Sequence, residues 1–309
     1  MRPALSVIFF TTLSGAGYGL LAWLGAHYAW RPLPLASSGA LALLGFALAL
    51  VTAGLLSSLL HLGQPQRAWR ALTQWRSSWL SREGVLALLT YLPALALAAL
   101  LWLDGYGWAM RLAGAALALA SLATVACTAM IYASLRTIPA WSHPLVLPAY
   151  LGFALLTGGA WLWTALAWTG WSPRNGTLLL GLVVLVALVL IKLRYWHRLH
   201  RRALPADRAS AIGLRGVGEV KVFEHPHTEA NYITREMAFV LARKHARALR
   251  LLALALFAVA PLLLYALALA GVLPWMPALA LLALAAMAGA FIERWLFFAE
   301  ARHVVTLYY

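Results

Sequence analysis

The sequence predicts an all-α fold, a polytopic membrane bundle of eight transmembrane helices, and three observations carry that prediction. Hydrophobic residues make up 63% of the 309, only nine side chains are acidic, and mean hydropathy is +0.81. The apolar residues come in runs of about 20, the length of helix that crosses a hydrocarbon core. The period-two alternation of barrel strands is absent, and a bilayer offers no water to satisfy an open backbone, which leaves helices.

Eight runs meet that length, at 4–29, 37–60, 84–103, 112–132, 145–168, 177–193, 251–270 and 274–291. The first is too long for a secretory signal and is followed by many more, so it reads as a retained helix. Gly15 and Gly19 offer a close-packing pair within it. Pro32, Pro34, Pro65, Pro139, Pro144, Pro173 and Pro274 sit at run ends, whereas Pro93, Pro148 and Pro261 fall inside, where neighbouring helices absorb a kink. The chain therefore reads as a single integral membrane domain, 1–309, with a basic loop at 194–250 between helices six and seven.

Arginine and lysine orient the bundle. One side carries Arg2, Arg67, Arg70, Arg76, Arg82 and Arg136, thirteen basic residues in the stretch 192–250, then Arg294 and Arg302; the other has only Arg31, Arg111 and Arg174. That asymmetry places the rich side, with both termini, in the cytoplasm of a bacterial inner-membrane protein. The formal net charge of +15 is thus a topology and lipid signal. Nucleic-acid binding is excluded as a reading, because no basic, aromatic soluble domain exists to carry it.

Cysteine bounds the redox chemistry. Cys127 is alone, which rules out an internal disulfide and any iron–sulfur cluster ligated by this chain. No two histidines fall at comparable depth inside the runs, so no haem is expected, nor any molybdopterin. In the long loop, 196–202 reads as a basic helical extension and 203–210 as a polar linker. A glycine-punctuated stretch follows at 213–218, then Glu219 to Phe223 alternates like a short strand of a hairpin. Helical pattern resumes from Glu229. His225 and His227 flank Pro226 without carboxylate or thiol partners, as in a turn rather than a metal site. Both charge signs plus aromatics make the loop a docking surface for a soluble partner.

The best lead to function is the connection between runs two and three. His61 ends one and Glu83 begins the next, and an apolar chain rarely keeps such groups at membrane depth without using them. His61 titrates in the physiological range. The bland alternative is that Glu83 pairs with Arg67, Arg70, Arg76 or Arg82 at the headgroups and His61 merely ends a helix.

The run from Leu60 to Ala68, which fits "LHLGxPxRA", together with Ser81-Arg82-Glu83 and the segment Thr137 to Trp141, resembles the anchor-subunit family of dimethyl sulfoxide reductase. The resemblance spans the whole chain in helix count and order. It implies an eight-helix anchor that holds a molybdopterin catalytic subunit and an iron–sulfur electron-transfer subunit at the lipid bilayer and exchanges electrons with quinone, menaquinone or ubiquinone. It places the quinone-site histidine and glutamate on His61 and Glu83. Arg67, Trp69, Trp79, Arg82 and Trp141 are further candidates for walls or headgroup contacts, set against the general enrichment of tryptophan and arginine at membrane interfaces. The segments Ser6 to Thr11, Ser14 to Gly19 and Pro226 to Ala246 look more like the branch that accompanies sulfite dehydrogenases. A secondary transporter is the rival reading, weakened by the absence of an internal repeat and by spans with almost no charge beyond their ends. A purely structural anchor without a quinone site is the third.

Overall fold

The computed structural model describes residues 3–173, 176–201, 207–216, 218–224 and 241–307. Eight helices in it are long and apolar enough to cross a membrane. They are α1 (Leu5–Trp30), α2 (Ser37–Leu59), α3 (Trp79–Trp102), α4 (Trp108–Ala133), α5 (Val146–Ala167), α6 (Gly176–Arg201), α7 and α8 (Trp275–Ala299). α7 runs Leu241–Leu254, passes through a π-helical turn at Ala255–Val259 and continues as Ala260–Leu269. The π turn has a local cause: Pro261 has no N–H for the carbonyl of Phe257, and its ring crowds that carbonyl, so the hydrogen-bond ladder shifts register just upstream. Pro148 makes no comparable disturbance, since it falls in the first turn of α5, where its N–H would lack a partner anyway.

Several helices outrun their apolar stretches. α3 begins at Trp79, α6 reaches Arg201 and α8 reaches Ala299, because a hydrophobic run marks the hydrocarbon and not the helix. That difference changes the charge map. Lys192 and Arg294 belong to the spans, 1% and 3% exposed, and both pair with Glu293, itself 1% exposed. They are not loop charges, and the spans are not free of charge.

α1 is the centre of the bundle and packs against α2, α4, α5 and α8; α3 lies on α4, and α8 on α5 and α7. Close backbone approach explains its small residues. A methyl at Gly25 would lie 2.5 Å from the carbonyl oxygen of Gly114, and one at Gly19 or Gly158 would overlap the partner helix's backbone. Gly15, in contrast, meets nothing within 4 Å, so the close contacts of α1 come from Gly17, Gly19 and Gly25.

Alternation of the spans gathers the start of α1, the end of α2, the start of α3 and the end of α4 at one face. The segment Thr137 to Trp141 and the C-terminal tail meet there, through the Val304 N–H on the Thr137 carbonyl at 3.1 Å. The expected strand at 219–223 does not form among the described residues; glycines with positive φ at 213, 216 and 218 turn the chain away from any partner. His225, Pro226, His227 and the start of the predicted helix at Glu229 lie outside the described residues.

Candidate functional site

α2 stops at Leu59 because Gly63 and Pro65 follow, and His61 sits two residues beyond on the exposed turn. Its Nδ1 lies 3.4 Å from the Ser6 hydroxyl in the first turn of α1. Ser57 fixes that junction by donating to the Ser6 carbonyl at 3.0 Å. Partial burial against the bundle end lowers the pKa of His61 below that of free imidazole. The ring is therefore neutral near pH 7.

A ten-residue 3₁₀ segment, Pro65–Gln74, carries the chain across to α3. Arg67 and Trp69 are exposed on it, with Arg70 over the Trp69 ring at 5.7 Å. Two residues staple this segment to α3. Arg82 donates to the carbonyls of Trp75 at 2.9 Å and Arg76 at 2.6 Å while lying 4.3 Å over the Trp79 ring, and the Ser81 hydroxyl donates to the Ala71 carbonyl. Ser78 caps the helix. With Arg82 committed to backbone carbonyls, no arginine pairs with Glu83 among the described residues.

Glu83 instead turns inward and is 4% exposed. Its Oε1 accepts from the Thr128 hydroxyl of α4 at 2.8 Å. Thr128 also lies 3.1 Å from the Thr124 carbonyl, so one hydroxyl proton faces two acceptors. An ionised Glu83 takes that proton; a protonated Glu83 can donate to the Thr128 oxygen while Thr128 turns to Thr124. The arrangement accommodates both protonation states without moving the backbone. Oε2 makes no hydrogen bond among the described residues.

The fold brings His61 and Glu83 to the same face of the bundle but joins them by no contact: His61 leans on α1, Glu83 on α4. α2 packs broadly on α1 and only lightly on α3, which makes the α2–α3 seam the loosest joint among the first four spans. Arg82 lies over Trp79 at the start of α3, and Trp69 is carried by the 3₁₀ segment that Ser81 and Arg82 hold to that helix. Trp141 is not part of this group. It is buried, donates to the Phe297 carbonyl at 3.0 Å and stacks among Tyr132, Phe297 and Phe298, as packing between α4 and α8.

Sequence reasoning missed a polar interior. Behind Thr128 lies a cavity of about 20 Å³ between α1, α4, α5 and α8, where hydroxyl side chains and Arg294 share the wall with apolar groups such as Val125, Phe153 and Ala290. Its signal was present as serine and threonine at helical spacing, Thr11 and Ser14 on α1 and Ser121, Thr124 and Thr128 on α4. A larger cavity of about 100 Å³ opens on the opposite face, between α1, α5, α6 and α7 near Trp23, His27 and Trp163. Its walls are mostly apolar and suit hydrocarbon rather than proton chemistry.

The family model described as "DMSO reductase anchor subunit (DmsC)" matches residues 1–299. The chain belongs to the DMSO reductase anchor subunit family. It is 35% identical to a sulfite dehydrogenase subunit of Allochromatium vinosum, over 100% of this chain and 99% of that one. No solved structure matches it. As an anchor subunit, it is a component of a multi-subunit oxidoreductase complex at the membrane.

Proposed function

We propose that this anchor binds quinone in the α2–α3 seam, between His61 and Glu83, and exchanges electrons with an iron–sulfur subunit docked on the His61 face. A molybdopterin subunit that oxidises sulfite completes the complex. The observation that carries the reading is Glu83: a carboxylate buried next to Thr128, one turn inside the membrane face, with its second oxygen uncommitted. The donor set fits a quinone, whose two ring oxygens need a proton-active partner each. The cavity behind Thr128 is too small for a ring, which favours the seam. When bound, quinone supplies two-electron, two-proton redox chemistry.

The chain's own residues divide that work. Neutral His61 holds a hydrogen bond to one oxygen position and takes or gives a proton there. Glu83 does the same at the other, with Thr128 stabilising whichever form results. Ser81 and Arg82 position Glu83 by pinning α3 to the loop. Exposed Trp69 and Trp75, alternating with Arg67, Arg70 and Arg76, have the aromatic and arginine composition of a docking surface. The arginine excess on this face supports a cytoplasmic position for it, and hence for the partners. Similarity to a sulfite dehydrogenase subunit supports electron flow from sulfite to quinone.

The test is quinone-linked turnover of the purified complex against turnover with a soluble dye that accepts electrons from the partner subunits. His61→Ala and Glu83→Gln are expected to abolish the first and spare the second. Normal quinone-linked turnover in a fully assembled His61→Ala complex would refute the site.

A further inference from the structure

The seam between α2 and α3 is tied by hydrogen bonds at two levels and open at a third. At the face away from His61, the Ser37 hydroxyl at the start of α2 donates to Asp104 Oδ1 at 2.7 Å and lies 3.2 Å from the Tyr106 hydroxyl, which pins α2 to the turn after α3. Inside the membrane, Thr52 of α2 meets Tyr91 of α3, hydroxyl to hydroxyl, at 2.7 Å. From there to the face of His61 and Glu83, no hydrogen bond joins the two helices among the described residues.

The middle bridge has a fixed polarity. Thr52 donates to the Leu48 carbonyl at 2.7 Å, so its oxygen accepts and the Tyr91 phenol donates. Thr52 is exposed and Tyr91 half-buried, at a depth where the surroundings are acyl chains and no water competes for either hydroxyl. Packing between α2 and α3 is light, so this bond carries much of their contact at that level.

Its depth gives it meaning. Thr52 lies seven residues before Leu59, the end of α2, and Tyr91 eight after Glu83, which are about 10 and 12 Å along the helices. α2 and α3 are thus untied over roughly the last two turns before the face, the stretch that His61 and Glu83 bound. The 3₁₀ segment lies against α3 at the top of that stretch, since a methyl at Gly84 would come 2.7 Å from Leu72 Cδ2. Around α3, Glu83 and Thr90 share the stripe that faces α4, where Thr90 meets Thr124 at 3.3 Å; Tyr91, one residue on, faces α2.

We propose that the Tyr91–Thr52 hydrogen bond is the floor of the quinone cleft, fixing the fork at which α2 and α3 part and, through it, the spacing of His61 and Glu83 that the ring spans. The proposal rests on the reading of this seam as the quinone site. Tyr91 and Thr52 are positioning residues: they act through the two helices and exchange no proton with the ring. Because Thr52 is exposed at bilayer depth, an apolar tail on the ring leaves the cleft past it into lipid.

Breaking the floor lowers the share of molecules whose seam is closed to the right width, but a bound ring still meets the same two side chains. The expected signature is a raised KM for quinone with kcat nearly unchanged. The probe is a decyl-tailed benzoquinone with the purified complex, and dye-linked turnover counts the assembled enzyme. In Tyr91→Phe and in Thr52→Val, KM is expected to rise about 3- to 18-fold, the range that one hydrogen bond between membrane helices supplies. Thr52→Ser, which keeps the bond, is expected to stay near wild type, and the Tyr91→Phe, Thr52→Val double variant to rise no further than the larger single. Wild-type KM in both single variants, or two effects that simply multiply in the double, would overturn the floor. His61→Ala separates the two claims. Lost quinone-linked turnover there, with KM unmoved in the bridge variants, keeps the quinone site and sinks the floor. Wild-type turnover there refutes the His61 site, whereas a KM shift shared by both bridge variants would still place the ring above Tyr91.

Discussion

Thr128→Val is the sharpest perturbation of the proposed chemistry. The substitution is nearly isosteric, so α4 keeps its packing, but it removes the only hydrogen bond found on Glu83 among the described residues, 2.8 Å long and buried at both ends. A hydrogen bond to a charged group contributes about 1.5–3 kcal/mol. If that bond supports the ionised carboxylate in the rate-limiting proton transfer, losing it slows turnover by about 13- to 160-fold. The assay is quinone-linked turnover of the purified complex, with dye-linked turnover as the control for assembly. Thr128→Ser, which keeps the hydroxyl, is expected to restore most of the rate. A Thr128→Val complex that turns over with quinone at the wild-type rate would show that Glu83 does not work through this contact.

Three further outcomes follow from other parts of the structure. Glu293→Ala leaves Lys192 and Arg294 buried without a counter-charge, a loss of about 3–5 kcal/mol, read as a clear drop in unfolding temperature in detergent; Lys192→Met added to it is expected to recover part of that drop, and an unchanged midpoint for Glu293→Ala would contradict the buried pairing. For His61, whose pKa is lowered, the neutral base form persists below the ordinary imidazole value and the acid form appears only at still lower pH. Quinol oxidation is therefore expected to hold its rate at alkaline pH and to fall with a midpoint below the ordinary imidazole value of about 6.5, while quinone reduction rises toward acid; two profiles with the same limb, or a midpoint above 6.5, would count against His61 as the titrating group. Gly158→Ala is expected to hinder α1–α5 closure and lower membrane accumulation of folded chain, whereas Gly15→Ala is tolerated by folding; equal accumulation of both would contradict the crossing.

Much of the architecture was legible because a bilayer permits so little. Twenty-residue apolar runs could only be helices, and their count and order survive in the structure. The ends were not legible in the same way, since hydropathy reports where hydrocarbon stops. For that reason Lys192 and Arg294 count with the charges of the arginine-rich face in the sequence, although α6 and α8 carry them inward, where both pair with Glu293. Glu83 and His61 stood out by chemistry alone, but what each leans on was invisible: no spacing rule says that Arg82 will turn back to the Trp75 and Arg76 carbonyls and leave Glu83 to Thr128. Trp141 shows the converse, an aromatic that suits an interface by type and is placed by Phe297 and Tyr132 in the core. The hydroxyl stripe on α1 and α4 was readable in principle, as polar residues at positions three and four apart on one face of otherwise apolar helices.

The central claim is that quinone meets His61 and Glu83, and binding tests it without the ambiguity of turnover. Affinity of a quinone analogue for the intact complex, measured by fluorescence quenching in wild type, His61→Ala and Glu83→Gln, is expected to fall by at least about tenfold in each variant, the loss of roughly one hydrogen bond. Equal affinity in all three assembled complexes would contradict the account.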